Sequence, residues 1–522
     1  MKKLLIIIII IVFGLTSCSD YLDEEVFSSS QTSNFYQNEQ QGISALNGAY
    51  AGLRDTYFDF KNDFTFMEML EGPTGTVELN GGYANMNFGS KELRKMGGVW
   101  DRIWVGVNRS STLIRLLKTK NINEESSKRI LAEAKFVRAL SYFHIVRIWG
   151  SVPIMNGVTS IDEAYPDKAP ESEVYKLIIQ DLKTAAQDLP KWNDYSSSGA
   201  AAENTSLSIN YQRYEAGRAT QGAAQALLAK VYLTIASSIN SNANSFENAF
   251  DMNEMYTNAR DMCALVYDGN HGYGLIDNYF DIYQENNEYG KEDIFSIGFK
   301  QATEVKVGNS LASVTGIKKT NILAIEIQRI TANPDFLDEF EDADERKEAT
   351  FVLRYIDKKG EMQIYKSKKL KKLGFKKYWS DYQLSPDNIP MERTTYVYET
   401  STFQKGVYGD NIPVLRYSEV LLMYAEALHA LGDESQAMER LADVRERANL
   451  GRILPAGDFM ELLISERRRE LCFEMKLWFD YQRLNIVGNY RPDLADEKYK
   501  YFPLPVGDLM TNPGLLPQNP GW

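Results

Sequence analysis

The stretch Ala132–Pro153, AEAKFVRALSYFHIVRIWGSVP, constrains this chain more than any other. Ala132, Phe136, Ala139, Phe143 and Val146 recur at steps of three and four, one stripe of an α-helix. Leu140, Tyr142, Ile145 and Ile148 make the other faces apolar too. A helix apolar nearly all round must be covered on most sides, so this one belongs at the centre of a helical assembly. The small Ala132, Ala134 and Ala139 let neighbours approach closely, and Gly150 with Pro153 stops the helix.

Helical patterns recur at Ile43–Phe60, Trp100–Leu117, Glu171–Leu189, Ala219–Ala236, Met252–Tyr267, Tyr417–Leu431, Glu434–Asn449 and Glu461–Leu484. Around the Gly432-Asp433 turn, Ala425, Gly432, Ala437 and Leu441 fall at tetratricopeptide-repeat spacing; earlier helix pairs are degenerate versions. Such pairs stack over a shared core and leave a face suited to binding. Trp100, Trp104, Trp149 and Trp478 lie in helical patterns and read as core. From His271 to about residue 412 the pattern changes to short β-like runs, Asp293–Phe299, Thr350–Tyr355 and Met362–Tyr365, between Gly, Asn, Pro and charged turns. Phe64–Gly98 holds a Gly/Asn-rich loop, the kind that carries function or motion. The tail Tyr501–Trp522 is Pro-rich and wraps the surface. The expected fold class is mostly α: a helical scaffold with tetratricopeptide-type pairs plus a large irregular region of loops and short strands.

The N-terminus reads as a targeting segment. Lys2 and Lys3 precede the apolar run Leu4–Phe13, which is too short to span a bilayer as a helix. Leu15-Thr16-Ser17-Cys18 looks like a lipobox, making residues 1–17 a lipoprotein signal peptide and Cys18 the acylated residue. Several acyl carbons, at ~0.8 kcal/mol per buried CH₂, anchor a soluble domain durably. Residues 18–40 then form an acidic, polar tether. Cys263 and Cys472 sit in apolar helical patterns and read as core thiols. The net charge of −13 speaks against nucleic acid as a partner. The one basic run, Lys366–Lys377, reads as a solvated loop or hairpin.

Six stretches, in order, resemble the signatures of the SusD/RagB family of outer-membrane nutrient-binding lipoproteins. They are the lipobox with its acidic Ser19–Glu25, Ala132–Pro153, Ala219–Leu233, Pro413–Leu428, Glu466–Leu484, and Tyr501-Phe502-Pro503-Leu504-Pro505 with Asn519-Pro520-Gly521. The departure is Met475-Lys476, in a stretch read as helical, where the family commonly has Gly-His. The resemblance implies one SusD-like domain over 41–522. Its helical scaffold would cover about 41–270 and 413–490, its irregular ligand-facing region about 271–412, and its C-terminal wrap 491–522. It also implies a surface-exposed, lipid-anchored protein of the outer membrane. That protein would bind an oligo- or polysaccharide and deliver it to a partner SusC-like TonB-dependent transporter.

The residues themselves offer little enzymatic chemistry. His144, His271 and His429 have no ligand spacing, no nucleotide or hydrolase motif occurs, and neither a metal nor a cofactor is expected. Glu466, Glu470 and Glu474 lie four apart and read as a helix face paired with Arg467–Arg469. Asp342–Glu345 reads as a solvated acidic turn. The chain is therefore read as a binder and not an enzyme, with a glycosidase, a peptide or other non-glycan nutrient binder, and a structural adhesion protein as alternatives. Sugar binding asks for an aromatic face against the CH face of a pyranose and amides for its hydroxyls. Two groups of loop aromatics and amides qualify: Tyr83, Asn85 and Phe88, and Tyr283, Tyr289, Trp379 and Tyr382.

Overall fold

The computed structural model describes residues 35–58, 64–79, 81–157, 163–192, 217–284, 287–299, 309–320, 322–323, 326–379, 383–384, 389–391 and 409–522. Cys18, most of the tether and Tyr382 lie outside them. The helical scaffold begins with α1 (Glu39–Tyr57), α2 (Thr65–Glu71), α3 (Ser90–Leu116), α4 (Glu124–Trp149), α5 (Glu171–Asp188), α6 (Gln221–Asn240) and α7 (Met252–Asp268). It resumes with α8 (Tyr417–Ala430), α9 (Glu434–Arg447), α10 (Phe459–Leu471) and α11 (Leu477–Arg483). Short polar side chains start several of them: Asn123, Thr220, Asp251, Asp433 and Asp458 each accept an amide of the first turn. Gly432, at φ 84°, makes the turn between α8 and α9 as expected of the repeat pair. α4 packs with α5, α6 with α7, and α1 with α3.

α4 is the central helix. Between Arg129 and Trp149 only Leu131, Lys135 and Arg147 keep partial exposure. Its C-terminus is capped by the chain's own tail. The Phe502 amide donates to Ile148 O at 2.9 Å, the Asn519 amide to Trp149 O at 3.0 Å, and the Trp149 indole to Pro503 O at 3.2 Å. The first two satisfy carbonyls that a helix end leaves orphaned, and the third ties the helix's last side chain to the tail. α6 is long and apolar enough to cross a membrane, but most of it is buried here in the core. Cys263 and Cys472 are buried free thiols.

Short strands, most of them in the irregular region, complete the fold. β1 (Val77–Leu79) pairs antiparallel with β5 (Ile330–Ala332), β2 (Val152–Pro153) with β3 (Lys168–Ala169), and β4 (Asp293–Ile297) with β10 (Ile412–Arg416). A four-stranded sheet runs β7-β6-β9-β8, from Met362–Ile364, Arg354–Ile356, Pro390–Met391 and Gln383–Leu384. A separate apolar cluster lies under this region, built from Ala312, Ile317, Ile322, Leu323, Val352, Tyr355, Leu370 and Trp379.

Buried charges join the region to the scaffold. Arg416 meets Glu292 at 2.7 Å, Glu470 at 3.0 Å and Glu474 at 2.8 Å. Arg447 reaches Glu292 and Glu470, Arg346 reaches Asp344, Glu466 and Glu470, and Lys377 reaches Glu474. Burial alone would raise the Glu474 pKa, but Arg416, Lys377 and Lys476 hold it well below the usual carboxylate range. The three glutamates are paired, as read, but mainly with cations from other segments. Nor do they share one helix: α10 ends at Leu471, and Phe473 and Met475 adopt φ of 64° and 59°. Asp344 is likewise no solvated turn residue but buried against Arg346 at 2.7 Å. Lys376 and Lys377, at the end of the basic run, are buried. Arg416→Ala is expected to lower unfolding free energy by about 3–5 kcal/mol, because it removes the one cation that three buried carboxylates share and leaves their remaining partners to balance them; urea denaturation measures it.

Glu71, at the end of α2, is buried and accepts the Met475 amide. Burial raises its pKa from 4.5 to about 7, against the pull of that amide and Lys377. Between these values the folded state binds the extra proton, so stability falls as pH rises through that window and stays lowest above it. Glu71→Gln keeps an acceptor without the charge. It should stabilise the protein at pH 8 by about 1–3 kcal/mol and change little at pH 4, as read from melting at both pH values.

Candidate functional site

Each aromatic singled out in the sequence has a definite place. Tyr83 is buried, its hydroxyl donating to Glu92 O at 3.3 Å. Its loop is closed at Gly82, where a Cβ would stand 2.0 Å from Asn87 O, so only glycine fits. Phe88 stacks on Phe502 at 5.7 Å and on Trp522 at 5.3 Å. This group therefore fastens the C-terminal tail, and Tyr83 is withdrawn as a sugar platform. Asn85 is exposed beside it, its oxygen taking the Asn87 amide at 3.3 Å.

Trp379 is also withdrawn. It is fully buried in the second apolar cluster, its indole donating to Thr315 Oγ1 at 2.9 Å. A large ring in a loop was taken for a displayed one, but here the loop folds over its own core. Tyr283 turns inward as well, donating to Glu474 Oε1 at 2.8 Å within the ion-pair network. It lines a cleft with Asn287, Glu288 and Asp293 of only about 30 Å³, room for roughly one or two waters. Tyr289 is half-buried, with its amide on Asp293 at 3.1 Å and its hydroxyl on Asn411. Tyr283 and Tyr289 thus share one neighbourhood without forming a sugar-sized site.

The irregular region does hold a cavity of ligand size, a few residues away. It measures about 320 Å³, at the low end of the ~300–1,000 Å³ usual for ligand pockets. Its walls come from the 3₁₀ turn Tyr279–Tyr283, the short helix Glu345–Thr350, β6 and β9. Tyr279 and Tyr283 point inward, so the turn puts the half-buried Phe280 toward the cavity. Asn278, Glu348 and Arg354, all exposed, supply polar groups on the same cavity. Arg354 Nε lies 3.7 Å from Glu348 Oε2. Lys376 reaches it from beneath, its ammonium 5.7 Å from the Phe280 ring centre and donating to Glu348 O at 2.8 Å. Burial pulls the Lys376 pKa down to about 8, with Glu348 opposing.

The arrangement is a shallow apolar face edged by polar groups that can donate and accept hydrogen bonds. Among the described residues no His, Cys, Asp and Glu cluster could hold a metal. Phe280 gave one signal in the sequence, its place between two tyrosines four residues apart in YFDIY. Trp379→Ala is expected to cost about 3–5 kcal/mol of stability and Phe280→Ala about 1 kcal/mol or less, a contrast that urea denaturation of the two variants checks.

Residues 240–522 match the model of the SusD family, and residues 20–233 match a model described as starch-binding associating with outer membrane. A SusD-like protein of Formosa agariphila is 26% identical over the full length of both chains. A laminarin-binding SusD-like protein of known structure shares 23% identity at a TM-score of 0.70, over 93% of this chain and 100% of its own. A structure solved with a xylogluco-oligosaccharide shares 21% identity at a TM-score of 0.68, over 90% of this chain and 97% of its own.

Proposed function

This chain belongs to the SusD family, and we propose that it captures an oligo- or polysaccharide at the cell surface for import. The observation that carries the reading is the paired match of its two halves to the SusD and starch-binding models. Neighbours of the same fold that bind laminarin or hold a xylogluco-oligosaccharide support the ligand class. The cleft around Phe280 supports it chemically. Its ring offers an apolar face to a pyranose, and Asn278, Glu348 and Arg354 offer both donors and acceptors to hydroxyls.

In this reading Cys18 carries the lipid anchor and the polar stretch between it and α1, which begins at Glu39, links the domain to the outer membrane. A SusC-like TonB-dependent transporter receives the ligand. The helix pair α8–α9 and the segment after it suit that contact. They leave a cavity of about 440 Å³ between Met438, Ala442, Leu454 and Phe459, with Met438 and Ile453 exposed.

The test is retention of the mature chain, from residue 19, in gels containing plant, host and microbial polysaccharides. Retention by at least one glycan, without hydrolysis, and a loss of ten-fold or more in affinity for Phe280→Ala are expected. Hydrolysis that a single carboxylate change abolishes would make it a glycosidase. Silence across the panel together with binding of peptides would replace the glycan reading.

A further inference from the structure

The β6–β7 hairpin and the loop after it are the most basic part of an acidic protein. From Arg354 to Lys372 the chain carries eight cationic side chains and two acidic ones, against a net charge of −13 overall. The hairpin is held rigidly from beneath. Tyr355 is buried in the second apolar cluster, and Tyr365 packs on the same cluster. The buried Asp357 carboxylate shapes the tip by accepting the Lys359 amide at 2.9 Å and the Glu361 amide at 3.0 Å, with Gly360 at φ 78°. Beyond β7 the chain turns back, the Ser367 amide donating to Ile364 O at 3.0 Å and the Lys366 amide to Leu370 O at 2.9 Å, where Leu370 is buried.

Side chains alternate across a strand. With Tyr355 and Tyr365 inward, the outward face carries Arg354 opposite Ile364 and Ile356 opposite Met362. Met362 is 44% and Ile364 63% exposed, an apolar pair displayed on a short outer strand. Exposed lysines stand at both ends of it: Lys358 and Lys359 at the tip, and Lys366, Lys368 and Lys371 past the other end, with about 10 Å of strand between the groups. Lys369 and Lys372 are paired with Asp357 and Glu78. Lys359, Lys368 and Lys371 form no ion pair among the described residues.

An apolar pair between two groups of lysines sorts partners by chemistry. A soluble polyanion takes the lysines and leaves Met362 and Ile364 in water. A neutral sugar gives the lysine charges no counterion. A layer of anionic headgroups answers both, with phosphates on the lysines and the apolar side chains in the boundary beneath. We propose that the outward face of the β6–β7 hairpin docks this domain on an anionic lipid surface. The proposal rests on the reading of Cys18 as the anchor for proximity only: the stretch from Cys18 to Phe35 spans at most about 60 Å when fully extended, which keeps the domain beside the bilayer. Arg354 belongs both to this face and to the Phe280 cleft, so docking sets the cleft at the edge of the contact.

The experiment sediments the mature chain, from residue 19 and so without lipid, with phosphatidylcholine vesicles that contain or lack phosphatidylglycerol, at low and high salt. A chain of net charge −13 is repelled by anionic vesicles unless a local patch overrides the total. Saturable binding to the phosphatidylglycerol vesicles alone is expected, ten-fold or more weaker at high salt. Lys359→Glu/Lys368→Glu/Lys371→Glu should lose ten-fold or more in affinity, since each lysine near such a surface is worth about five-fold. Met362→Ser/Ile364→Ser should lose three-fold or more. All of these side chains are exposed, so both variants should melt with the parent. Equal binding to the two kinds of vesicle, binding to neither, or undiminished binding by either variant would overturn the proposal. Binding of soluble polygalacturonate that the lysine variant loses and the Met362→Ser/Ile364→Ser variant keeps, without vesicle binding, would replace the lipid surface by a polyanion. Because the chain tested carries no lipid, failure here leaves the reading of Cys18 standing; palmitate labelling of the full chain tests that separately.

Discussion

Arg416 sits where three carboxylates meet, and the segments around it are placed so that its charge has no need of water. Glu292 arrives just ahead of β4, Glu470 from the last turn of α10, and Glu474 from the turn beyond it. Arg447 closes the group from the end of α9, and Lys377 from the irregular region. Burying so many ions costs more than most isolated pairs return. What the network supplies is registration. Each member is satisfied only when all five segments are in place, so an irregular chain with little sheet of its own still has one position against the helices. The 3₁₀ turn Tyr279–Tyr283 inherits that fixity, since Tyr283 bonds Glu474 and Tyr279 bonds Glu470 O. Phe280 is held outward as the remainder of the same geometry, and a preformed face loses less freedom on binding.

Helices were legible because their signal is periodic and local. The stripe through Phe136 and Phe143, the cap at Asn123 and the stop at Gly150 can each be read without knowing any neighbour. The repeat turn at Gly432 was legible for the same reason. The tail was only half legible. Its prolines exclude helix, but nothing local says that Asn519, 370 residues from Trp149, caps the central helix. Met475 illustrates a different limit. The resemblance marks its position as commonly glycine, and the structure supplies the reason: φ is 59° there, a conformation in which a side chain is strained. Reading the stretch as helix hid that meaning.

Tyr83 and Trp379 were misplaced for one shared reason. Aromatic side chains between glycines look displayed, yet a loop of this length must also have a floor, and the largest rings make it. Tyr83 and Trp379 are floor. Phe88 clamps the tail, and Tyr283 is tied to a buried glutamate. The reverse error occurred at Trp104, which helical periodicity sends to the core but which also lines a cavity. Periodicity reports which helix face turns inward. It does not report whether the space that face meets is filled.

That distinction applies to two open spaces in this fold. The Phe280 cleft is walled by the irregular region, and the Trp104 cavity by α3 and the C-terminal segment, so the two draw on different parts of the chain. Neither is announced by the period of the elements around it, because each forms where segments distant in sequence meet.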